Sequence, residues 1–199
     1  SGDDKKQRLP GVLEMRRLKP EKATKDKAAA AASKPAAYGE DIDLNQYIHD
    51  SGESPYQAEP SQLPAETRKQ MLQVGVTFDD SSQRSGTIIQ IDHSTIHSLS
   101  TQQGIEVMSI RQALEEYDWL SDYLWKAVAV DADKYTAHVE LGQNNGYFIR
   151  ALPGSKSIYP VQACLYLSKA KLAQKVHNIV IAEEGSELHI ITGCTTAPK

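Results

Sequence analysis

The sequence predicts an α+β chain, helical in its N-terminal part and β-rich in its C-terminal part, and three observations carry that expectation. Residues 20–33 open on Pro20 and hold an alanine run at 28–32, a strong helix-forming composition. Ile110, Leu114, Tyr117, Leu120, Leu124 and Val128 recur at helical spacing. From Lys134 onward the pattern becomes strand, glycine or proline, strand. It culminates in two apolar runs, 176–182 and 188–192, around the turn Glu-Glu-Gly-Ser-Glu.

Taken in order, the first 34 residues carry ten Lys/Arg against five Asp/Glu, and residues 35–66 carry seven Asp/Glu and no Lys/Arg. The basic block reads as an arm with one exposed helix, stopped at Lys34-Pro35. The acidic stretch reads as a connector, because Pro55, Pro60 and Pro64 forbid a long helix there. A helical turn is expected within 41–48, a second helix over 63–72 and a strand over 74–78. Residues 87–99 are β-rich and 104–109 form a further strand. Ser109 with Gln112 has the spacing of a capping box, which opens an amphipathic helix over 110–128. Strands are expected at 135–141, 146–152, 158–167, 175–182 and 187–192. The absence of helical patterns between these last strands argues against a doubly wound sheet. A sandwich, a cupin-like barrel or the opening turns of a parallel β-helix remain. The resulting divisions are 1–37 (basic arm), 38–84 (acidic connector and small helical region), 85–133 (strands plus the helix 110–128) and 134–199 (the β-rich end).

Composition narrows function by exclusion. A net charge of -4 gives no global basic excess, so nucleic acid is not an expected partner. No apolar run reaches membrane-spanning length and no signal-peptide pattern opens the chain, so a cytoplasmic protein away from membranes is expected. Ser1-Gly2 reads as a remnant of tag removal. The two cysteines, Cys164 and Cys194, could pair, but free thiols in a reducing compartment are the better reading. No zinc-type Cys/His spacing and no phosphate-binding Gly-Lys-Ser/Thr loop is present.

Several ordered motifs carry a resemblance to a known family. They are Tyr-Gly-Glu-Asp-Ile-Asp-Leu from Tyr38 to Leu44, Arg84-Ser-Gly-Thr87, Lys134-Tyr-Thr-Ala137, Gly146-Tyr-Phe-Ile-Arg150, Pro160-Val-Gln162, and the long stretch from His177 to Cys194. Together they resemble SufB/SufD-type proteins, the scaffold components of the SUF system of iron–sulfur cluster assembly. The resemblance runs from about Tyr38 to Pro198. It implies an N-terminal helical region followed by the first rungs of a right-handed parallel β-helix, truncated relative to the family. It also implies partners: a SufC-type ABC ATPase, another SufB/SufD-type subunit, and a cysteine desulfurase with its sulfur carrier. The iron–sulfur cluster belongs to the full-length complex, because two cysteines are too few to ligate one here.

In SufB-type members a cysteine in a Gly-Cys-Thr-Ala-Pro setting accepts persulfide sulfur. Gly193-Cys194-Thr195-Thr196-Ala197-Pro198 resembles it with one extra Thr, which makes Cys194 the candidate sulfur acceptor and leans the chain toward SufB over SufD. The chemistry needs a thiolate within reach of a donor. Lys175 or His177 on a neighbouring rung would favour it. The competing expectation is a β-helix or cupin-like metal enzyme acting on a small molecule or sugar, with His177, Glu183, Glu184 and His189 as the ligand types such barrels use. Asp118, Asp122 and Asp131 give no convergent geometry for carbohydrate chemistry. Asp92, His93 and Ser94 are adjacent in sequence and so cannot form a triad from one strand.

Overall fold

The structure is a computed structural model that describes residues 10–78, 83–142 and 145–198, with side chains from residue 21 onward. Among the described residues the chain is mixed α/β, with four α-helices and seven β-strands. It divides into two compact units, Ser1–Ile42 with Tyr117–Gln143, and Asp43–Glu116 with Asn144–Lys199. No described helix is long and apolar enough to cross a membrane.

The first unit is helical. Helix α1 spans Pro10–Ala31, so it begins well before Pro20. The expected weak apolar face proves to be one of small residues: Ala28 and Ala31 are buried with Val130 and Ala137, and Trp125 packs on them. Alanine faces let backbones approach closely but bury little area, and polar ties supplement them. Lys34 Nζ donates to the Asp131 carbonyl at 2.8 Å and Trp125 Nε1 donates to Glu140 at 2.7 Å.

The expected strand over 135–141 is instead a helix, Lys134–Leu141. Asp133 and Thr136 close a capping box over its first turn. That cap outweighs the β-branched local composition, and only Ala137 needs burial. Burial pushes the Asp133 carboxyl up, but main-chain N–H donors of Ala37, Thr136 and Tyr135 outweigh it and hold it below the usual range. The expected helix 110–128 is also corrected. Ile110–Glu116 is α-helical, and after an extended Tyr117 the chain makes a 3-10 segment, Asp118–Tyr123. The apolar spacing served two cores: Ile110 and Ala113 are buried in the second unit, Leu120 in the first. Trp119 packs tilted beside Tyr117 and edge-to-face with Tyr123, with ring centroids 5.1 and 5.7 Å away.

The second unit holds the sheets. Helix α2 is Ala65–Gln73, near its expected place, and Asp43 caps a 3-10 turn at Leu44–Gln46. Residues 74–78 form no strand. The side-chain amide of Gln162 takes the place of a strand partner there, accepting from the Thr77 N–H at 3.0 Å and donating to the Thr77 carbonyl at 2.8 Å. The β-rich run 87–99 is a hairpin of β1 (Gly86–Ile91) and β2 (Ser94–Ser100), turning at Asp92, whose φ is 54°. Strand β3 is Ile105–Ser109.

Strands β4 (Tyr147–Ala151), β5 (Val161–Leu167), β6 (Ile179–Ala182) and β7 (Ile190–Thr196) follow. One sheet runs β2-β1-β5-β7 and the other β3-β4-β6. The β1–β5, β5–β7 and β4–β6 pairs are parallel. Phe148 lies beside Ile179, Lys156 beside Glu187 and Val161 beside Ile190. The chain therefore retraces its own path about thirty residues later, as stacked repeats do. Gly146 permits the close approach at the start of β4: a Cβ there would meet the His177 carbonyl oxygen at 2.2 Å.

Alternation along β1, β5 and β7 gives their sheet two unlike faces. One looks toward the other sheet and buries Ile88, Val161 and Ala163 with Ile105, Val107, Tyr147, Ile149 and Ala151; Ile190 packs against this layer. The opposite face buries Ile89, Cys164 and Tyr166 under Leu63, Met71 and Val76. Each fully buried aliphatic side chain contributes about 1.5–3 kcal/mol, so these two layers are the main stabilising elements of the unit.

Candidate functional site

Cys194 lies inside β7, whereas the sequence placed it just after a strand. Gly193 makes this possible. Its position is roofed by Val74, and a Cβ would meet the Val74 side chain and carbonyl at 2.7 Å. In the β5–β7 register Gly193 pairs with Cys164, and Cys194 with Leu165. The two thiols therefore sit on opposite faces of the sheet and are both free: Cys164 buried, Cys194 exposed. A bridge would need the side chains to converge, which neighbouring strands at this register do not allow.

The two differ chemically as well. Burial, followed by the nearby charge of Cys194, pushes the Cys164 thiol up to about 12, so it stays protonated and inert. Cys194 has the access that a sulfur donor requires. Its charge also acts on Tyr147, whose phenol is pushed up first by burial and then by Cys194. Lys175 and His177 are each lowered by burial, a cause that favours their neutral forms.

The four residues considered for a metal are placed apart in role. Glu183 is engaged by Arg150, whose Nε and Nη2 reach it at 2.9 and 2.8 Å. Glu184 is exposed in the turn, and its carbonyl accepts from the Gly154 N–H at 2.9 Å. His189 is exposed, its own N–H donating to Ser157 Oγ at 2.9 Å. His177 is half-buried in the segment before β6. Among the described residues no group of three or more His, Cys, Asp or Glu is arranged to hold a metal ion.

Two residues related to Cys194 were not singled out from sequence: Tyr147, which feels its charge, and Gln90, two strands away in the same row. Tyr147 opens β4 and belongs to the inter-sheet core. Gln90 shares the Cys194 row, since it pairs with Leu165 and Leu165 pairs with Cys194. The available signal was the interruption of Ile-Ile-Gln-Ile by one amide, a polar residue where the face pattern called for an apolar one.

Comparison with known proteins bears on this geometry. No family model matches the chain. Among curated proteins, it is 47% identical over 178 residues to an iron–sulfur cluster assembly SufBD family protein of Methanothermobacter thermautotrophicus, covering 87% of this chain and 43% of that protein. It is 51% identical over 131 residues to a SufBD family protein of Archaeoglobus fulgidus, covering 66% of this chain and 35% of that one. A Staphylococcus aureus SufBD family protein matches at 26% identity over 160 residues, 77% of this chain and 34% of the relative. A mixed α/β protein with parallel strand pairs and an exposed strand cysteine is the class these features define. Across the matched residues the chain belongs to the iron–sulfur cluster assembly SufBD family. It spans less than half the length of these relatives.

Proposed function

We propose that this chain is the sulfur-receiving portion of a non-enzymatic SufB-type scaffold for iron–sulfur cluster assembly. The observation that carries the reading is the exposure of Cys194 inside β7, set against the burial of Cys164. Iron and sulfur are cargo in this reading, and the cluster itself is completed in the full-length complex. The expected partners are a SufC-type ABC ATPase, a second SufB/SufD-type subunit, and a cysteine desulfurase with its sulfur carrier. The parallel pairs repeating about every thirty residues support assigning β4–β7 to the opening of a right-handed parallel β-helix.

Transfer is a thiol–persulfide exchange. The Cys194 thiolate attacks the outer sulfur of a donor hydropersulfide, and a new S–S bond forms at Sγ. The donor's S–S bond breaks, its electron pair leaving on the donor as thiolate; the proton stays on the transferred sulfur and no net oxidation occurs. The protein supplies access at Cys194 and keeps Cys164 out of the reaction. Intact mass and peptide mapping after incubation with a desulfurase, its carrier and free cysteine test this. A reducible gain of one sulfur on Cys194, absent in Cys194→Ser, is expected. An unmodified Cys194 that a general alkylating reagent still labels would remove the acceptor role.

A further inference from the structure

Residues 48–57 run as a strap along the outer side of β2, and a histidine ties them to the returning segment 171–175. Strand β2 is an edge strand of its sheet, and such an edge needs a cover. The Gln57 N–H donates to the Ile96 carbonyl at 2.6 Å, and the Ser54 N–H to Ser94 Oγ at 2.9 Å. The Tyr56 hydroxyl donates to the Ser98 carbonyl at 3.2 Å and accepts from the Ser98 N–H at 3.4 Å. The Tyr56 ring stacks on His97, whose Nδ1 lies 2.9 Å from the Gln57 carbonyl. At the other end of the strap, the Ile48 N–H donates to the Lys171 carbonyl and the Ile48 carbonyl accepts from the Ala173 N–H, both at 2.8 Å. Between these ends stands His93. Its Nδ1 meets Ser51 Oγ at 3.1 Å, and its Nε2 meets the Ala173 carbonyl at 3.0 Å and the Lys175 N–H at 3.3 Å. One half-buried ring thus joins the strap, the β1–β2 turn and the segment that leads to β6.

We propose that residues 48–57 form an acid-released strap over the edge of β2, with His93 as its latch. A neutral imidazole suits its neighbours: one ring nitrogen donates, the other accepts, and Ser51 Oγ can take either part. The cation turns both nitrogens into donors, so the Lys175 N–H loses its acceptor. The charged groups around the ring divide. Lys175, before β6, opposes the cation, while Asp92 in the turn and Asp50 on the strap favour it. Asp92 is largely committed elsewhere, since its carboxylate accepts from the Ser168 N–H at 2.8 Å and from Ser168 Oγ at 2.5 Å. His49, next on the strap, turns back to the Leu44 carbonyl at 2.7 Å. Burial is the largest influence, and together with Lys175 it holds the closed-strap His93 below its ordinary 6.5. Lifting the strap uncovers one side of the ring and returns it toward that ordinary value. The open form therefore takes up a proton first as pH falls through 6.5, so the closed form is favoured above that pH and lost below it.

The test is hydrogen exchange of the 199-residue chain, read by mass spectrometry and corrected for the intrinsic effect of pH on exchange. Protection of residues 48–57 should fall about fivefold from about pH 7.5 to about pH 5, while protection of β5 holds, as for a local opening. His93→Gln keeps a neutral donor and acceptor at the same place. It should protect the strap at the higher pH as the unaltered chain does and lose the acid response; a merely structural role would lower protection at both pH values alike. If His93→Gln does not fold, Ser51→Ala carries the test. Its strap protection should already be about threefold lower at the higher pH, with little further loss on acidification. An acid response that survives in full in the folded variant overturns the latch and points to His49 or His97 instead. Equal loss of protection in β5, which would make the opening global, overturns it too, as does a strap equally protected at both pH values.

Discussion

Gln162 and Gln90 are buried amides on adjacent strands, and the fold treats them oppositely. Gln162, on the face covered by α2, has every polar atom engaged: Oε1 accepts from Thr77 N and Arg84 Nε, and Nε2 donates to the Thr77 carbonyl and Thr87 Oγ1. Gln90, on the inter-sheet face, uses only its Nε2. A satisfied buried amide fastens structure, and a half-satisfied one marks where structure has been left open. The Gln162 amide is thus fully engaged, whereas the Gln90 amide leaves its oxygen open.

Removing each amide should expose that difference most strongly. Gln162→Leu strands the Thr77 N–H and carbonyl, and a loss of about 3 kcal/mol is expected, read as a lower urea midpoint at unchanged slope. Gln90→Leu gives up one bond and relieves one unpaired oxygen, so its stability should stay within about 1 kcal/mol of the unaltered chain. Equal losses would mean that the two faces are not distinguished in this way.

Gly193→Ala comes next. Its Cβ would collide with Val74 at 2.7 Å, backbone oxygen included, so about 2 kcal/mol of overpacking strain is expected. Gly154 is a useful contrast because its φ is +71° and its surroundings are open. Gly154→Ala should cost about 1 kcal/mol from backbone strain alone. Thermal unfolding of the pair checks whether the roof over β7 is as tight as the register implies; a smaller loss at Gly193 would show that Val74 gives way.

Much of this was legible in the sequence, and the misses have particular causes. The α+β class, α2, β4 and the two apolar runs that became β6 and β7 followed from periodicity and glycine punctuation. The helix Lys134–Leu141 was misread because its β-branched letters outweighed an Asp-x-x-Thr cap. The helix over 110–128 was overextended because one periodic run feeds two separate cores. The strand expected at 74–78 had the right composition, but a side-chain amide holds its backbone. Cys194 was found through resemblance. Tyr147 and Gln90 were not, because one stands on the other sheet and the other is related only by register across two strands, and no local spacing records either.

The two thiols give the next contrast. The Cys164 thiol is raised in the folded chain, from an ordinary value of 9.0 to about 12. Its contribution to stability is therefore fully present below pH 9 and is lost as pH rises toward 12, because the unfolded thiol releases its proton first. Cys164→Ala should flatten that alkaline decline in a denaturation series. Exposed Cys194 should alkylate in the native state while Cys164 labels only after unfolding, and rapid native labelling of Cys164 would show that its face of the sheet opens readily.

The smallest expected effect concerns the pairs that hold successive turns in register. Arg150 meets Glu183 and Lys156 meets Glu187, each joining one turn to the next, but their surroundings differ. The side chains of the first pair are 16% and 29% exposed, those of the second 64% and 57%. Low exposure and two guanidinium N–H groups converging on Glu183 Oε1 should give Arg150–Glu183 a coupling of about 1 kcal/mol in a double-mutant cycle with Arg150→Met and Glu183→Gln. Lys156–Glu187 is solvated and free to rearrange, so the matching cycle should show no coupling above error, and added salt should change the Arg150–Glu183 coupling little. If the exposed pair coupled as strongly as the sheltered one, register would be set by charge along the whole turn. If only Arg150 couples, the packed β4–β6 ladder sets the register, and Glu183 serves as the counterion that lets an arginine remain there.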